Sequence, residues 1–333
     1  MSETPETQAA FPITVSKDAI VMQIPARLSV LEAVAFKSSY HQLLEGDVSS
    51  ERIILDFQIT KFIDSSGIGA LVNNFKSTQA QGKKLVLQNV HPPVMAVLSM
   101  TGLDRVLAIE NCLPASENAP KGSSPIQPPE THPSIRSRLK RLVDIMGSIV
   151  GLVIVAILFI PIAIAIKLDS PGSILFGQTR CGWMGQEFTI WKFRSMCENA
   201  EFLKSKVQNQ ASGAFFKNEN DPRITRVGRF LRRTSLDEIP QFWNVLKGEM
   251  SLVGTRPPTP NEVEIYEVPE WQRLDVKPGM TGEWQVNGRS QVRNFEDVIR
   301  LDLRYQENWS LTYDLKLILQ TVLILFRKNS GAY

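Results

Sequence analysis

Five arginines and two neighbouring acids crowd into one short stretch of this chain. Asp221 to Gln241, read DPRITRVGRFLRRTSLDEIPQ, carries Arg223, Arg226, Arg229, Arg232 and Arg233 just ahead of Asp237-Glu238. Guanidinium groups grip phosphate oxygens in pairs, and adjacent carboxylates can hold a divalent cation or attack phosphorus. The same residue types also suit a solvated basic helix beside a capped one, whose surface ion pairs contribute little. Elimination narrows the chemistry. All three histidines, His41, His91 and His132, precede residue 134, so the C-terminal part has no histidine base. Its cysteines, Cys181 and Cys197, lie in no nucleophile motif. Carboxylates remain for covalent or base chemistry there, and Asp237-Glu238 is the pair set among phosphate-binding residue types.

The elements that must position this pair are partly legible. Asp221-Pro222 reads as an N-cap and first-turn proline, predicting a helix that starts there. On that helix Arg223, Arg226, Arg229 and Arg232 recur at i+3 and drift slowly round one side. Ser235 precedes Glu238 by three residues, the spacing of a capping box. Pro240 cannot sit deep inside a helix, so the acids must lie near a helix start.

The chain is 333 residues long, enough for two domains. Its net charge of +3 argues against a protein that coats nucleic acid. The positive charge is local, around 136–141 and 223–233. Three cysteines with no CxxC pair, Cys112 included, read as reduced and cytosolic, without a disulfide framework or zinc site. Residues 1–10 form a polar tail without the apolar core of a secretory signal.

Residues 11–112 alternate short apolar stretches with helical patterns. Ala19–Ile24, Arg52–Phe57 and Lys84–Leu87 read as strands, and Val30–Leu44, Ile68–Ala80 and a Pro92-Pro93 start running to Met100 read as helices. This predicts a small α/β domain whose sheet is covered by helices. Neither a Walker loop nor GxGxxG occurs here. The phrase Phe62-Ile63-Asp64-Ser65-Ser66-Gly67-Ile68-Gly69, with Val90-His91-Pro92-Pro93-Val94 and Thr101-Gly102-Leu103-Asp104, resembles the STAS domain of anti-sigma-factor antagonists. On spacing alone, Asp64 and its serines also suit an N-cap with flanking glycines. The resemblance implies a hydroxyl phosphorylated by a partner kinase, Ser65 first and Ser66 second. It also implies a regulatory or docking role for the domain.

Residues 113–134 carry six prolines among Ser, Gly and Glu, and read as an extended tether. Arg136, Arg138, Lys140 and Arg141 then precede an apolar run, residues 142–168, long enough to cross a bilayer. The basic flank places its N-terminal side in the cytoplasm. Pro161 lacks an N–H and clashes with the carbonyl of Ile157, predicting a kink.

Residues 135–333 resemble the bacterial sugar transferase family, membrane-bound enzymes that move a sugar-1-phosphate from a UDP-sugar to a polyprenyl phosphate. The matching blocks, in family order, are FGQTRCGWMGQEFTIWKFRSM, NDPRITRVGRFLRRTSLDEIPQFWNVLKGEMSLVG, KPGMTGEWQVNGRS and NWSLTYDLKLILQTV. The resemblance implies an α/β architecture in which the STAS-like sheet is followed by a re-entrant membrane helix and a mixed, helix-rich transferase domain. It places the protein on the cytoplasmic face of a bacterial inner membrane. A re-entrant rather than spanning helix keeps the active site on the cytosolic side, where the nucleotide sugar is made. In the family a Ser-Pro pair marks the break; here it is Ile160-Pro161.

The implied mechanism is covalent. Asp237 attacks the β-phosphorus, UMP leaves, and the lipid phosphate takes the sugar-phosphate from the aspartate. Glu238 and Asp237 would hold Mg²⁺, and Arg232 and Arg233 would clamp phosphate and keep Asp237 ionised. Lys192, Arg194 and Arg256 are candidates for the diphosphate, and Arg289 for the sugar or uridine. The family usually reads VGPRP where this chain has Val253-Gly254-Thr255-Arg256-Pro257, a change expected to loosen the loop. Leu311–Phe326 reads as an interfacial or core helix. The competing reading is a membrane-tethered STAS scaffold with an inactive transferase-like anchor. The sugar is not legible, and a tethered α/β module offers a surface for homo-oligomers.

Overall fold

The computed structural model of the protein describes residues 11–15, 19–46, 50–110, 131–203, 207–210, 218, 220–287 and 295–326. The chain forms two compact units. Unit 1 gathers the residues before His132 with Met184–Gln186 and Tyr266–Asp275, and unit 2 contains the rest.

Unit 1 is an α/β fold. Its sheet has the order β1 (Ile13–Val15), β2 (Ile20–Gln23), β4 (Arg52–Asp56), β6 (Lys84–Gln88), β7 (Ala108–Glu110), antiparallel at the β1 edge and parallel elsewhere. A separate two-residue pair joins β3 (Arg27–Leu28) to β5 (Phe62–Ile63). Strand alternation sets the core: Ile20, Met22, Ile53, Leu55, Leu85 and Leu87 are buried. Helices α1 (Val30–Glu45), α2 (Ser65–Ala80) and α3 (Pro92–Thr101) follow their strands, as the alternation predicts. Helix α2 starts three residues earlier than its apolar period suggests. Asp64 supplies the cap, its carboxylate accepting the Gly67 N–H at 2.9 Å, so Ser65 and Ser66 are already helical.

Unit 2 opens with α4 (Pro133–Arg136) and α5 (Arg138–Asp169), a helix of 32 residues that continues without a break through Pro161. It is the one helix among the described residues long and apolar enough, by length and composition, to cross a membrane. Leu142, Met146, Ile149, Val153, Ile157 and Ile160 are exposed along one face. The opposite face is fastened at both ends. Near the start, Lys140 Nζ reaches Asp314 at 2.6 Å, and Asp144 accepts Ser251 Oγ and Leu252 N at 2.9 Å each. Near the end, Ile162 and Ile166 pack with Phe193 and Leu231, and Asp169 accepts the Val227 N–H at 2.9 Å.

The antiparallel hairpin β8 (Leu175–Cys181) and β9 (Glu187–Phe193) follows, then α6 (Arg226–Thr234), a 3-10 turn over Leu236–Gln241 and α7 (Phe242–Lys247). β10 (Ser251–Val253) pairs in parallel with β11 (Gly279–Thr281), flanking α8 (Pro260–Glu264) in sequence. Helices α9 (Glu283–Asn287), α10 (Phe295–Glu307) and α11 (Leu311–Phe326) complete the unit. Leu317 of α11 is buried with Val253, Val276 and Tyr305, whereas Leu319 and Leu323 are exposed, so this helix serves both core and surface.

Candidate functional site

The acid pair sits where the sequence puts it, near a helical start, but the local geometry differs from the spacing argument. The helix carrying the arginines begins at Arg226, not at Asp221. Thr225 is its N-cap, accepting the Gly228 N–H at 3.0 Å. Asp221 is unavailable as a cap because its carboxylate is chelated by Arg223, with Nε at 2.9 Å and Nη2 at 2.6 Å from its two oxygens. Burial alone would raise the Asp221 pKa, but those hydrogen bonds outweigh it and hold the group below its usual range. Arg223 is thus spent inside the fold.

Ser235 occupies the N-cap position of the next turn but caps nothing with its side chain. It closes α6 in the left-handed region at φ 57°. This sharp reversal lets a 3-10 turn follow α6 at once and brings Asp237 and Glu238 back beside its last residues. The turn packs through Leu236 and Ile239 against the cluster of Ile162, Ile166, Phe193 and Leu231. The acids therefore ride on a turn seated directly on the long apolar helix.

Gly228 makes the other close approach. A Cβ there would lie 1.9 Å from the Ser195 carbonyl oxygen, so only glycine lets α6 lie against the end of β9. One turn on, Arg232 Nε donates to Ser195 Oγ at 2.9 Å. From β9 itself, Lys192 Nζ donates to Glu238 Oε1 at 2.6 Å.

The electrostatics separate the two acids. Asp237 is only 6% exposed, whereas Glu238 is partly open. Burial, then the charge of Glu238, push the Asp237 pKa upward, and the opposing pull of Lys192 and Arg232 does not restore it. Arg232 is itself pushed down by burial against the attraction of Asp237, Asp221 and Glu238. Arg233, beside it in sequence, is exposed. Of the two arginines expected to keep Asp237 ionised, Arg232 does pull its pKa down, but burial outweighs the effect.

The remaining expected ligands divide. Arg194 points to the end of α5, donating to the carbonyls of Pro171 and of Ser170, the latter at 2.8 Å. Arg256 forms a two-pronged pair with Glu262 at 2.7 and 3.1 Å. Its loop is not loosened by Thr255, which is 1% exposed, bridges to Pro278 and accepts the Gly279 N–H at 2.9 Å. Arg289 lies outside the described residues. Burial lifts the Cys181 thiol to about 12, which rules out a thiolate nucleophile there.

Sequence reasoning missed Arg180. It closes β8, donates to the Pro257 carbonyl at 2.8 Å and feels Arg256, Glu262 and Glu238. Burial, then Arg256, push it down to about 10. Two guanidiniums held close together against their mutual repulsion suit a diphosphate. The only sequence signal was its place in the FGQTRCG block.

Among the described residues no group of three or more His, Cys, Asp or Glu is arranged to hold a metal. Asp237 and Glu238 offer a pair of hard oxygen donors, which fits an ion that takes one or two carboxylates and completes its shell with substrate phosphate and water.

In unit 1 the other candidate pair is inaccessible. Ser65 and Ser66 are both fully buried. Ser65 Oγ donates to the Trp271 carbonyl at 2.6 Å and its N–H to Asp275 Oδ1 at 3.0 Å, while Ser66 Oγ has no hydrogen-bond partner.

Two family models match the chain. Residues 10–116 match the STAS domain model and residues 135–328 the bacterial sugar transferase model. The galactosyl transferase CpsE of Streptococcus agalactiae is 48% identical over 188 residues, covering 56% of this chain and 42% of that protein. The undecaprenyl-phosphate galactose phosphotransferase of Salmonella typhimurium is 43% identical over 201 residues, covering 59% and 42%. The chain thus spans less than half the length of these two relatives. Among solved structures, a STAS domain protein from Planctomyces limnophilus is 24% identical, covering 31% of this chain and 89% of that one, with a TM-score of 0.28. Because the transferase model runs across the apolar helix, the arginine helix and the acid turn, more than half of the sequence, this chain belongs to the bacterial sugar transferase family.

Proposed function

We propose that the protein transfers a sugar-1-phosphate from a UDP-sugar to polyprenyl (undecaprenyl) phosphate, the first step of building a polysaccharide on a lipid carrier. The observation that carries this reading is the buried Asp237, set beside Glu238–Lys192 and Arg232 on a turn packed against the apolar helix. A nucleophile there can meet a water-soluble diphosphate and a lipid-borne phosphate at one boundary.

An Asp237 carboxylate oxygen bonds to the β-phosphorus, the bond to the bridging oxygen breaks, and UMP departs with that electron pair. An oxygen of the lipid phosphate then attacks the same phosphorus and returns the aspartate. The lipid phosphate is an anion, and Asp237, raised to about 6, is still mostly ionised at neutral pH, so no separate base is needed, which fits a half-chain without histidine. The obstacle is charge. Lys192, Arg232, Arg180 and Arg256 supply the fixed cations. Mg²⁺ held by Glu238 and Asp237 would neutralise diphosphate oxygens when bound. Outside this site, the STAS domain serves as a regulatory or docking module, its partner a kinase or other regulator.

The bonding of both ends of α5 to unit 2 supports a helix that does not cross, as the re-entrant reading on the cytoplasmic face of the inner membrane requires. The helix is nonetheless unbroken at Pro161, where that reading expected a break. At about 1.5 Å per residue a straight helix of this length is about 48 Å long, more than a hydrocarbon core. Both of its ends are nonetheless bonded to unit 2. Cysteines placed after residue 170 should therefore label from the cytosolic side alone.

The direct test incubates the purified chain with undecaprenyl phosphate, Mg²⁺ and a panel of UDP-sugars, UDP-galactose first, and measures UMP. Sustained release dependent on lipid phosphate, with at most one UMP per chain in its absence, and loss of both with EDTA are expected; no release from any UDP-sugar would favour an inactive tethered scaffold. Arg180→Gln should raise KM for the UDP-sugar by ~10- to 100-fold with a smaller change in kcat, because it removes a charge-assisted contact to the donor. An unchanged KM would remove Arg180 from the donor site.

A further inference from the structure

The start of α2 is covered by its own chain. Within unit 1 the 3-10 stretch Val268–Leu274 and the adjoining Asp275 lie over the Asp64–Ser65–Ser66 corner. Trp271 accepts the Ser65 hydroxyl on its carbonyl. Its ring fills the space above Gly69, where a Cβ would come within 2.5 Å of it. Asp275 takes the Ser65 N–H, so the helix start has two carboxylate caps, one from Asp64 and one from the covering segment. At the other end of the segment Lys37 Nζ grips Glu267 at 2.5 Å.

We propose that Tyr266–Asp275 is a cis-acting cap on this corner, and that a negative charge added at Ser65 expels it. The Ser65 hydroxyl is fully buried and its proton is committed to a carbonyl. A phosphate or carboxylate in its place would find Asp64 and Asp275, the Trp271 carbonyl and, more distantly, Glu32 of α1. The nearest lysine of α1, Lys37, is engaged with Glu267. Like charges in a buried site repel far more than in water. The corner already carries such stress. Burial above all, and for Asp64 also the charge of Asp275, raise both carboxyls well above the ordinary range. Addition of charge at Ser65 and seating of the cap are thus mutually exclusive. Ile265 and Val276, which flank the cap in sequence, both belong to unit 2. The inference adds a device to the regulatory reading of the STAS domain and is independent of the transfer chemistry, because its test reads backbone protection rather than turnover.

Hydrogen exchange on the full chain in detergent provides the test. Ser65→Glu should speed exchange of amides 266–275 by at least ~10-fold, the equivalent of losing about one charge-assisted interaction, with β4 and β6 protection unchanged. Ser65→Ala should give a smaller rise, and Ser66→Ala none, since the Ser66 hydroxyl has no partner to lose. Unchanged protection of 266–275 in Ser65→Glu, with the sheet intact, overturns the proposal. Should Ser65→Glu also unfold the sheet, the parent chain decides by pH. A raised carboxyl favours the docked form while protonated, so cap protection, corrected for intrinsic exchange, should fall between the ordinary carboxylate range and about pH 7. Asp275→Asn should flatten that fall. Protection independent of pH in the parent would sink the idea.

Discussion

Asparagine at position 237 is expected to reduce UMP release by ~10⁴-fold or more without harming the fold. The amide keeps the shape of the side chain but cannot bond covalently to phosphorus. Stability should stay level or rise, because the parent buries a carboxylate whose ionisation is opposed by burial and by Glu238. This pairing of outcomes separates a nucleophile from a structural acid, whose loss would lower stability and activity together. Glu238→Gln should also abolish measurable release, since the Lys192 bond at 2.6 Å and the oxygen proposed to hold Mg²⁺ would both be weakened. Normal turnover in Asp237→Asn would end the covalent mechanism, whatever the fate of the family assignment.

The second large effect concerns stability. Lys140→Met should cost about 3 to 5 kcal/mol, because breaking a buried pair strands the remaining charge. The Lys140 and Asp314 side chains are 8% and 3% exposed, with Nζ 2.6 Å from the carboxylate and 2.9 Å from the Val253 carbonyl. Asp314 would retain only neutral donors, Tyr305 Oη at 2.9 Å and Trp309 Nε1 at 3.2 Å. Joint replacement, Lys140→Met with Asp314→Leu, should recover much of the loss, as two apolar side chains leave no bare ion. Chemical unfolding of the detergent-solubilised chain measures both. A single-variant loss below about 1 kcal/mol would place this pair among the weak ones.

What could be read in advance follows from the range of the forces involved. The strands and helices of unit 1 were legible because alternation and period are local, and α11 runs over the residues its apolar pattern marks. The acid pair stood out because Pro240 and the missing histidines constrain it whatever the tertiary fold. Errors arose where two local signals competed. Asp221 had the residue type of a cap, but Arg223, two residues away, claimed its carboxylate, and Thr225 took the role. Ser235 had capping-box spacing, yet the chain needed a left-handed residue to reverse direction there. Long-range partners were invisible altogether. Nothing in WKFRSM says that Arg194 will turn to the carbonyls of Ser170 and Pro171, nor anything in VPEWQRLD that it will cover a serine some two hundred residues earlier.

The mooring of α5 at both its first and last turns has a consequence for membrane choice. A helix with one end on each side is graded by bilayer thickness, since its length must match the distance between two interfaces. A helix returned to its own side answers instead to the lateral pressure within a single leaflet. If α5 re-enters as proposed, lengthening the acyl chains should matter little to this protein, whereas tightening or loosening the head-group packing of one monolayer should govern how well it seats.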